Sequence, residues 1–524
     1  MAQQQVQGVA GLKKHDIKVS GIVFMLYCLV AAGAFGIEEM IPEAGPGMTL
    51  ILLIIFPIIW AYPISNMVAE CGSVLPSEGG VYVWVKEAFG EFWGFQAGWW
   101  GTVSTYITNG VYVALVAGYV SQMIPMSEVA IHVLKIGMIL IFTIINLLGL
   151  KEVGKVSTIL SILIVLAFAL VALVGFLNWN TNPMDPIMPE VYSLIDGVGG
   201  GICICVWMYC GYECISNMAG EVKNPQVIPK GLLIAMPLVA LTYVLPTLGG
   251  LASLPAGTWE NWSTDGGFTG ETVGYATVLT ANLGPAWGYI FLVVAIVTLI
   301  LAQKDFTTLV SMEVVFMLAL YIILPLAVIK LRKKLPVEER RKRDLFIMPG
   351  GRAGLIFYCG FPIAIAVIAL LINGTDYFVM GLLATASGPV AYVIVKAVYG
   401  GLSKNDPEHY PLNTRTRLAV GDTVRIGAYL IIAGAFGFLG QFWLRWYEID
   451  YGEWGTDDYD MMGDIIPQVL DILKWAGLAA LAVGIIVAAI GWKKDRPAPE
   501  VRPDIDALLD KYLNEEKRES FFDD

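Results

Sequence analysis

Thirteen stretches of about twenty predominantly apolar residues recur along this chain, and a run of that length spans the hydrocarbon core of a bilayer as an α-helix. Lipid offers no hydrogen bonds to the backbone, so such runs close their own N–H and C=O groups by coiling into helix. The segments fall near 19–40, 47–69, 90–121, 134–150, 156–177, 196–218, 230–252, 284–303, 306–330, 353–373, 377–399, 424–443 and 470–491. Composition agrees: 15 % of the residues are charged and 56 % apolar, where a soluble domain carries roughly 25 % charged residues. The reading is an all-α integral membrane protein. A soluble enzyme and a disordered chain are excluded, and a net charge of −12 argues against a nucleic-acid partner.

Basic residues orient the spans. Lys13, Lys14 and Lys18 precede the first, and Lys86, Lys151, Lys155, Lys223 and Lys230 fall in every second loop. The loops between, around 122–130, 179–194 and 253–283, hold no Lys or Arg. This predicts a cytoplasmic N-terminus, with Lys135 and Arg445 snorkelling near span ends on the outer side. The ninth segment breaks the alternation. It starts after Lys304 and ends at Lys330, Arg332, Lys333 and Lys334, so both ends should lie inside. Some 25 residues cannot cross twice as helix. One returning span is therefore expected to be absent near 303–306; a local failure of the charge rule is the alternative. The tail with Lys493 and Lys494 is expected to be cytoplasmic, and Asp504–Glu516 could form a short amphipathic helix within a solvated tail.

Two apolar segments carry helix-breaking glycines. The first holds Gly33, Ala34, Phe35, Gly36 and Ile37, followed by Glu38 and Glu39. The sixth opens on Gly197, Gly199, Gly200 and Gly201 and continues through Trp207, Met208, Tyr209, Cys210, Gly211, Tyr212 and Glu213. Interrupted helices at matching places in two halves point to a transporter's midplane site, where opened N–H groups meet anions and opened carbonyls meet cations. Ordinary glycine packing between helices is the alternative. The third and eighth segments echo each other, Phe89-Gly90-Glu91-Phe92-Trp93-Gly94-Phe95 against Leu283-Gly284-Pro285-Ala286-Trp287-Gly288-Tyr289. An offset of five spans reverses orientation and implies an inverted repeat. Intramembrane acids mark a pathway by default. Glu213 is the candidate for taking up and releasing a proton, with a satisfied structural acid as its alternative. Glu38 and Glu39 could share that work, draw a cation to the outer mouth, or form a solvated helix end. Glu313 could be partly buried or ion-paired, with Lys304 or another helix.

Seven cysteines make no disulfide framework: Cys28, Cys203, Cys205, Cys210, Cys214 and Cys359 fall in apolar segments and Cys71 in a short loop. The three histidines are scattered, and the chain holds no P-loop, HExxH or nucleophile elbow. No enzyme activity, cofactor or metal is expected.

Several motifs resemble the amino acid–polyamine–organocation transporter superfamily: Phe35-Gly36-Ile37-Glu38-Glu39, Pro76-Ser77-Glu78-Gly79-Gly80-Val81-Tyr82-Val83-Trp84, Gly94-Phe95-Gln96-Ala97-Gly98-Trp99, Ala219-Gly220-Glu221-Val222-Lys223-Asn224-Pro225 and Ile347-Met348-Pro349-Gly350-Gly351. The resemblance runs from about residue 16 to 400. It implies a leucine-transporter-like five-plus-five inverted repeat with broken first and sixth helices. The division would be a cytoplasmic N-terminus (1–18), a first repeat (19–177), a second repeat lacking its ninth span (196–330), two peripheral spans (353–399), two extra spans (424–491) and a cytoplasmic tail (492–524). It further implies that Gly33–Gly36 hold a substrate's carboxylate and amine, that Trp207 gates the site, and that Tyr106, Thr108 and Asn109 line the pocket. The implied function is alternating-access transport of an amino acid across the cell membrane, as proton-linked symporter or exchanger. A polyamine carrier, with Glu38, Glu39 and Glu213 as counter-charge, and a non-transporting sensor or scaffold are the other readings. Expected partners are the small-molecule substrate, protons and membrane lipid.

Overall fold

In the computed structural model helix occupies every predicted apolar segment; the first is interrupted at Gly33–Gly36 and the sixth only at Gly211. Gly197, Gly199, Gly200 and Gly201, expected to break the sixth, instead lie within α9 (Leu194–Met208), where Gly201 lets Leu52, Met40 and Ala44 pack close, the ordinary helix-packing use of glycine. The structure describes residues 17–496 except 32, 78, 125, 149–152, 190–193, 223–226, 264–272, 301–306, 406, 408–410, 414 and 451–462. Lys304, the candidate helix at 504–516 and the side chains of Thr108, Asn109 and Glu313 lie outside the described residues.

In chain order the helices are α1 (Val19–Val30), α2 (Ile37–Ala44), α3 (Pro46–Phe56), α4 (Tyr62–Val74), α5 (Gly80–Phe89), α6 (Glu91–Met123), α7 (Glu128–Leu148), α8 (Val153–Leu177), α9 (Leu194–Met208) and α10 (Val227–Ser253). They continue as α11 (Tyr275–Leu283), α12 (Pro285–Ile300), α13 (Thr307–Lys334), α14 (Val337–Lys342), α15 (Gly351–Ile372), α16 (Gly374–Tyr399), α17 (Leu402–Asn405), α18 (Asp422–Arg445) and α19 (Ile466–Lys494). A π-helical turn, Pro57–Ala61, joins α3 to α4 into one span. Among the described residues no β-strand occurs, only the isolated bridges Trp262–Val273 and Leu412–Ala419.

Eight helices among the described residues are long and apolar enough to cross a membrane, with shorter apolar stretches at Ile162–Leu177 and Pro285–Ile296. The chain is an all-α, multi-pass integral membrane protein. The eight are a count of the described residues alone. The first span is two pieces, each shorter than a bilayer crossing. Parts of α6, α7, α8 and α12 have side chains outside the described residues.

The core forms around the two broken spans: α2 packs on α9, α1 on α10, and α13 lies along α6 and α15. One large cluster of buried apolar side chains runs through all of these, while the pair α18–α19 joins a small separate cluster with Phe378 of α16. Cys71, placed in a loop by the apolar pattern, is instead buried on α4, because that helix runs on past residue 69 to Val74.

Candidate functional site

The first break is built by glycine. Gly33 and Gly36 hold φ of 107° and 89°, a region other residues enter only with strain. α1 therefore ends at Val30 and α2 restarts at Ile37. The restarting helix carries Glu38 and Glu39 in its first turn, where the helix dipole favours negative charge. Glu38 folds back on the break: its Oε2 accepts the N–H of Gly36 at 3.0 Å and its Oε1 accepts the hydroxyl of Tyr119 at 3.1 Å. Glu38 is buried; Glu39 is only partly so and accepts the Ser263 hydroxyl at 3.1 and 3.3 Å.

The second break repeats the device with different partners. α9 ends at Met208, Gly211 holds φ of 93°, and a 3₁₀ segment, Tyr212–Glu221, follows. Tyr321 of α13 bridges the opening. Its hydroxyl accepts the Gly211 N–H at 3.2 Å and donates to Glu213 Oε2 at 2.8 Å. A hydroxyl has one proton, so accepting from Gly211 leaves that proton for Glu213. The ends of the two interrupted helices share a further partner: Tyr243 of α10 lies 3.1 Å from the Met208 carbonyl and 3.5 Å from that of Val30. Tyr209 donates to the Leu53 carbonyl at 2.8 Å. The Tyr321 and Tyr243 bonds answer orphan groups that a helix end leaves.

Aromatic rings fill the space between. Phe35 packs edge-on against Phe168 (4.8 Å between centroids) and Tyr119 (5.7 Å), and Phe168 against Tyr275 (5.2 Å). Trp60, in the π-turn, sits edge-on to Tyr321 at 5.1 Å. Tyr275 bonds Thr247 at 2.7 Å and stands beside Trp262, so Ser263, on Glu39, and Tyr275, on Phe168, both lie beside the first break.

Gly33, Ala34, Phe35, Gly36, Ile37 and Glu38 are thus brought together at one break, and Trp207, Met208, Tyr209, Cys210, Gly211, Tyr212 and Glu213 at the other, all buried. Tyr106 is not brought there; it is 74 % exposed on α6. Glu39 faces Ser263 rather than the break.

Four residues that sequence reasoning passed over complete the arrangement: Tyr119, Tyr243, Tyr321 and Glu70. A tyrosine inside an apolar run is a usable signal, since its hydroxyl needs a partner once buried. Glu70 stood one residue beyond the predicted end of its span. It is fully buried at the far end of α4. Arg332 grips it through Nε (2.7 Å) and Nη2 (2.5 Å), Arg340 through Nη1 (2.5 Å), and the Met348 N–H adds a fourth bond at 2.8 Å. That cluster ties α4, α13, α14 and the approach to α15. Arg340 lies on α14, outside the spans; burial pulls its guanidinium below the ordinary value, and Glu70 opposes the shift.

Comparison with known proteins agrees with this arrangement. A family described as amino acid permease matches residues 18–297, more than half of the chain. A probable polyamine transporter of Arabidopsis thaliana is 30 % identical over 284 residues, 52 % of this chain and 53 % of the relative. A polyamine transporter of Oryza sativa subsp. japonica is 29 % identical over 284 residues, 52 % and 49 % of the two chains. A serine/threonine exchanger of Bacillus subtilis is 23 % identical over 182 residues, 34 % and 40 %. The chain spans about half the length of the curated plant relatives it matches. Helices broken at Gly33–Gly36 and at Gly211, and a family match that covers both, lead to one conclusion: the chain belongs to the amino acid permease family, within the amino acid–polyamine–organocation superfamily.

Proposed function

We propose that the chain is a secondary transporter working by alternating access, and that its substrate is a small organic cation of the polyamine type. One observation carries the substrate class. The Gly36 N–H, the kind of opened group that would hold a substrate's carboxylate, is already bonded to the chain's own Glu38. The Gly211 N–H is likewise bonded to Tyr321. An incoming carboxylate would have to displace Glu38 and be repelled by it at close range. A substrate with amines and no carboxylate meets two buried acids, Glu38 and Glu213, one at each break. The names of the plant relatives support the same class.

In this reading Phe35 and the Glu213–Tyr321 pair close the site on opposite sides. Residues 19–177 and 196–330 rock against each other as inverted halves, and Glu213 exchanges a proton as the states interchange. The basic-loop side, with both termini, is cytoplasmic, and the membrane is the cell membrane. Amino acid transport, by symport or exchange, is the second reading, supported by the name of the Bacillus relative.

The returning span expected near 303–306 belongs to the same proposal. α12 starts beside α11, on the side where Ser263 meets Glu39. α13 ends at Arg332 and Lys334, bonded to Glu70 and to the Glu87 carbonyl at the other side. Both helices therefore descend in the same direction. Six residues separate them, and fully extended they reach at most about 25 Å, less than a hydrocarbon core of about 30 Å. The family match also stops at residue 297.

Counterflow in proteoliposomes tests the function. Vesicles loaded with putrescine, arginine or neutral amino acids are followed for uptake of the same labelled compound. Saturable putrescine counterflow is expected, reduced at least tenfold by Glu38→Gln. Amino acid flux that Glu38→Gln leaves intact would move the assignment to the second reading. No flux from a folded chain would leave the sensor or scaffold.

A further inference from the structure

Residues 330–352 hold nine basic and three acidic side chains in a protein whose net charge is −12. The fold sorts those basic groups into two sets. Arg332 and Arg340 turn inward onto Glu70, and Lys334 onto the Glu87 carbonyl. Lys342 and Arg343 share Glu339 at 2.7 and 3.6 Å. Lys330 lies over the Phe89 ring, 5.2 Å from its centroid. Lys333, Arg341 and Arg352 remain: all three are exposed and make no ion pair among the described residues. Because the inward arginines fix α14 against α4, the outward set is presented by a braced element.

Apolar surface adjoins the same charges. Leu326 stands seven residues before Lys333 on α13 and is 44 % exposed; Ile356 stands four residues after Arg352 on α15 and is 73 % exposed. Seven- and four-residue spacings put each pair on one helix face. α13 and α15 pack side by side. The surface therefore offers acyl-chain contact and, at its end, three unneutralised cations.

We propose that Lys333, Arg341 and Arg352 form a site for the headgroup of an anionic phospholipid, whose chains lie along α13 and α15. Charge complementarity selects the anion, and the adjoining apolar faces select a lipid over a free phosphate. Each basic residue beside an anionic headgroup contributes about fivefold in affinity, so the three together contribute about a hundredfold.

The test uses the full chain in zwitterionic detergent. It is incubated with equal amounts of phosphatidylglycerol and phosphatidylcholine of matched chain length and re-isolated, and the bound lipid is quantified. Phosphatidylglycerol should be retained preferentially and released as salt rises. In Lys333→Gln/Arg341→Gln/Arg352→Gln its apparent affinity should fall by about a hundredfold. Lys493→Gln/Lys494→Gln, at the end of α19, should bind as the parent does. Melting temperature and elution volume, unchanged in the triple variant, separate lost binding from lost folding. Equal retention of phosphatidylglycerol by parent and triple variant overturns the site. Displacement of the lipid by inorganic phosphate or glycerol phosphate at comparable concentration also overturns it, by making it a site for soluble anions.

Discussion

Glu70 is a buried carboxylate whose partners come from three separate segments. One carboxylate takes three charge-assisted bonds from two arginines and one from a backbone N–H, with no exposure to solvent. Removing one side of a buried ion pair leaves the other charged and unanswered, which costs about 3–5 kcal/mol. Glu70→Gln keeps the shape and removes the charge, so two arginines at the end of α13 and in α14 lose their counter-ion. Thermal unfolding of the purified chain should show a clearly lower midpoint. A midpoint equal to the parent's would mean that the arginines find water instead. Tyr321 acts differently. Its bonds to Gly211 and Glu213 hold a polypeptide opening rather than a fold, and only about 1 kcal/mol of stability is at stake in a hydroxyl of that kind.

Helix pairs in this protein differ in how closely their backbones meet. α18 and α19 form an antiparallel hairpin with glycines at 427 and 434 on one helix and at 477, 484 and 491 on the other. A Cβ on Gly434 would lie 2.5 Å from the Leu481 nitrogen and 2.7 Å from the Gly477 carbonyl oxygen. Backbone atoms cannot move aside as a flexible side chain can, so the helices would have to part. Small residues let helices associate in lipid through packing alone, since burial from water offers no gain there. Gly434→Leu should therefore destabilise the hairpin by about 1–3 kcal/mol, read as a lower melting temperature and faster proteolysis between α18 and α19. Gly137→Leu on α7, with nothing within 4 Å of its Cβ position, is the control and should change neither. If both variants behave as the parent, the close approach carries no stability.

For the whole molecule the decisive relation is between α12 and α13. In the proposed topology both run from the Ser263 side toward the Glu70 side, with only six residues of sequence between them. An apolar helix of about 20 residues inserted between Gln303 and Phe306 would restore the return across the bilayer. The inserted chain should give several times more folded, monodisperse protein, and its putrescine counterflow should exceed that of the parent. A yield no better than the parent's would mean that α12 or α13 crosses in another way, and the proposed topology would fall with it.

Much of this architecture is readable without coordinates because lipid is an unforgiving solvent. Twenty apolar residues become helix whatever surrounds them, and glycines at 33, 36 and 211 interrupt those helices because a residue without Cβ adopts positive φ at little steric cost. Glu38 and Glu213 stand out for the same reason, as acids inside apolar runs. Partners across the bundle are another matter. That Tyr321 reaches Glu213, 108 positions earlier in the chain, or that Arg332 and Arg340 reach Glu70, depends on which helices lie side by side. The position of Tyr106 was misjudged on that account: a 33-residue helix shows several faces, and its rotation about its own axis is set by packing against its neighbours, not by its own residues. The sequence alone determined the solvent and the helices, through the cost of bare polar groups in lipid, but not which glycines open them: Gly33, Gly36 and Gly211 do, while Gly197 and Gly199–Gly201 stay helical in α9. Which acid caps which break, and which cations are neutralised within the fold, was decided only when tertiary packing brought residues from distant segments within bonding distance.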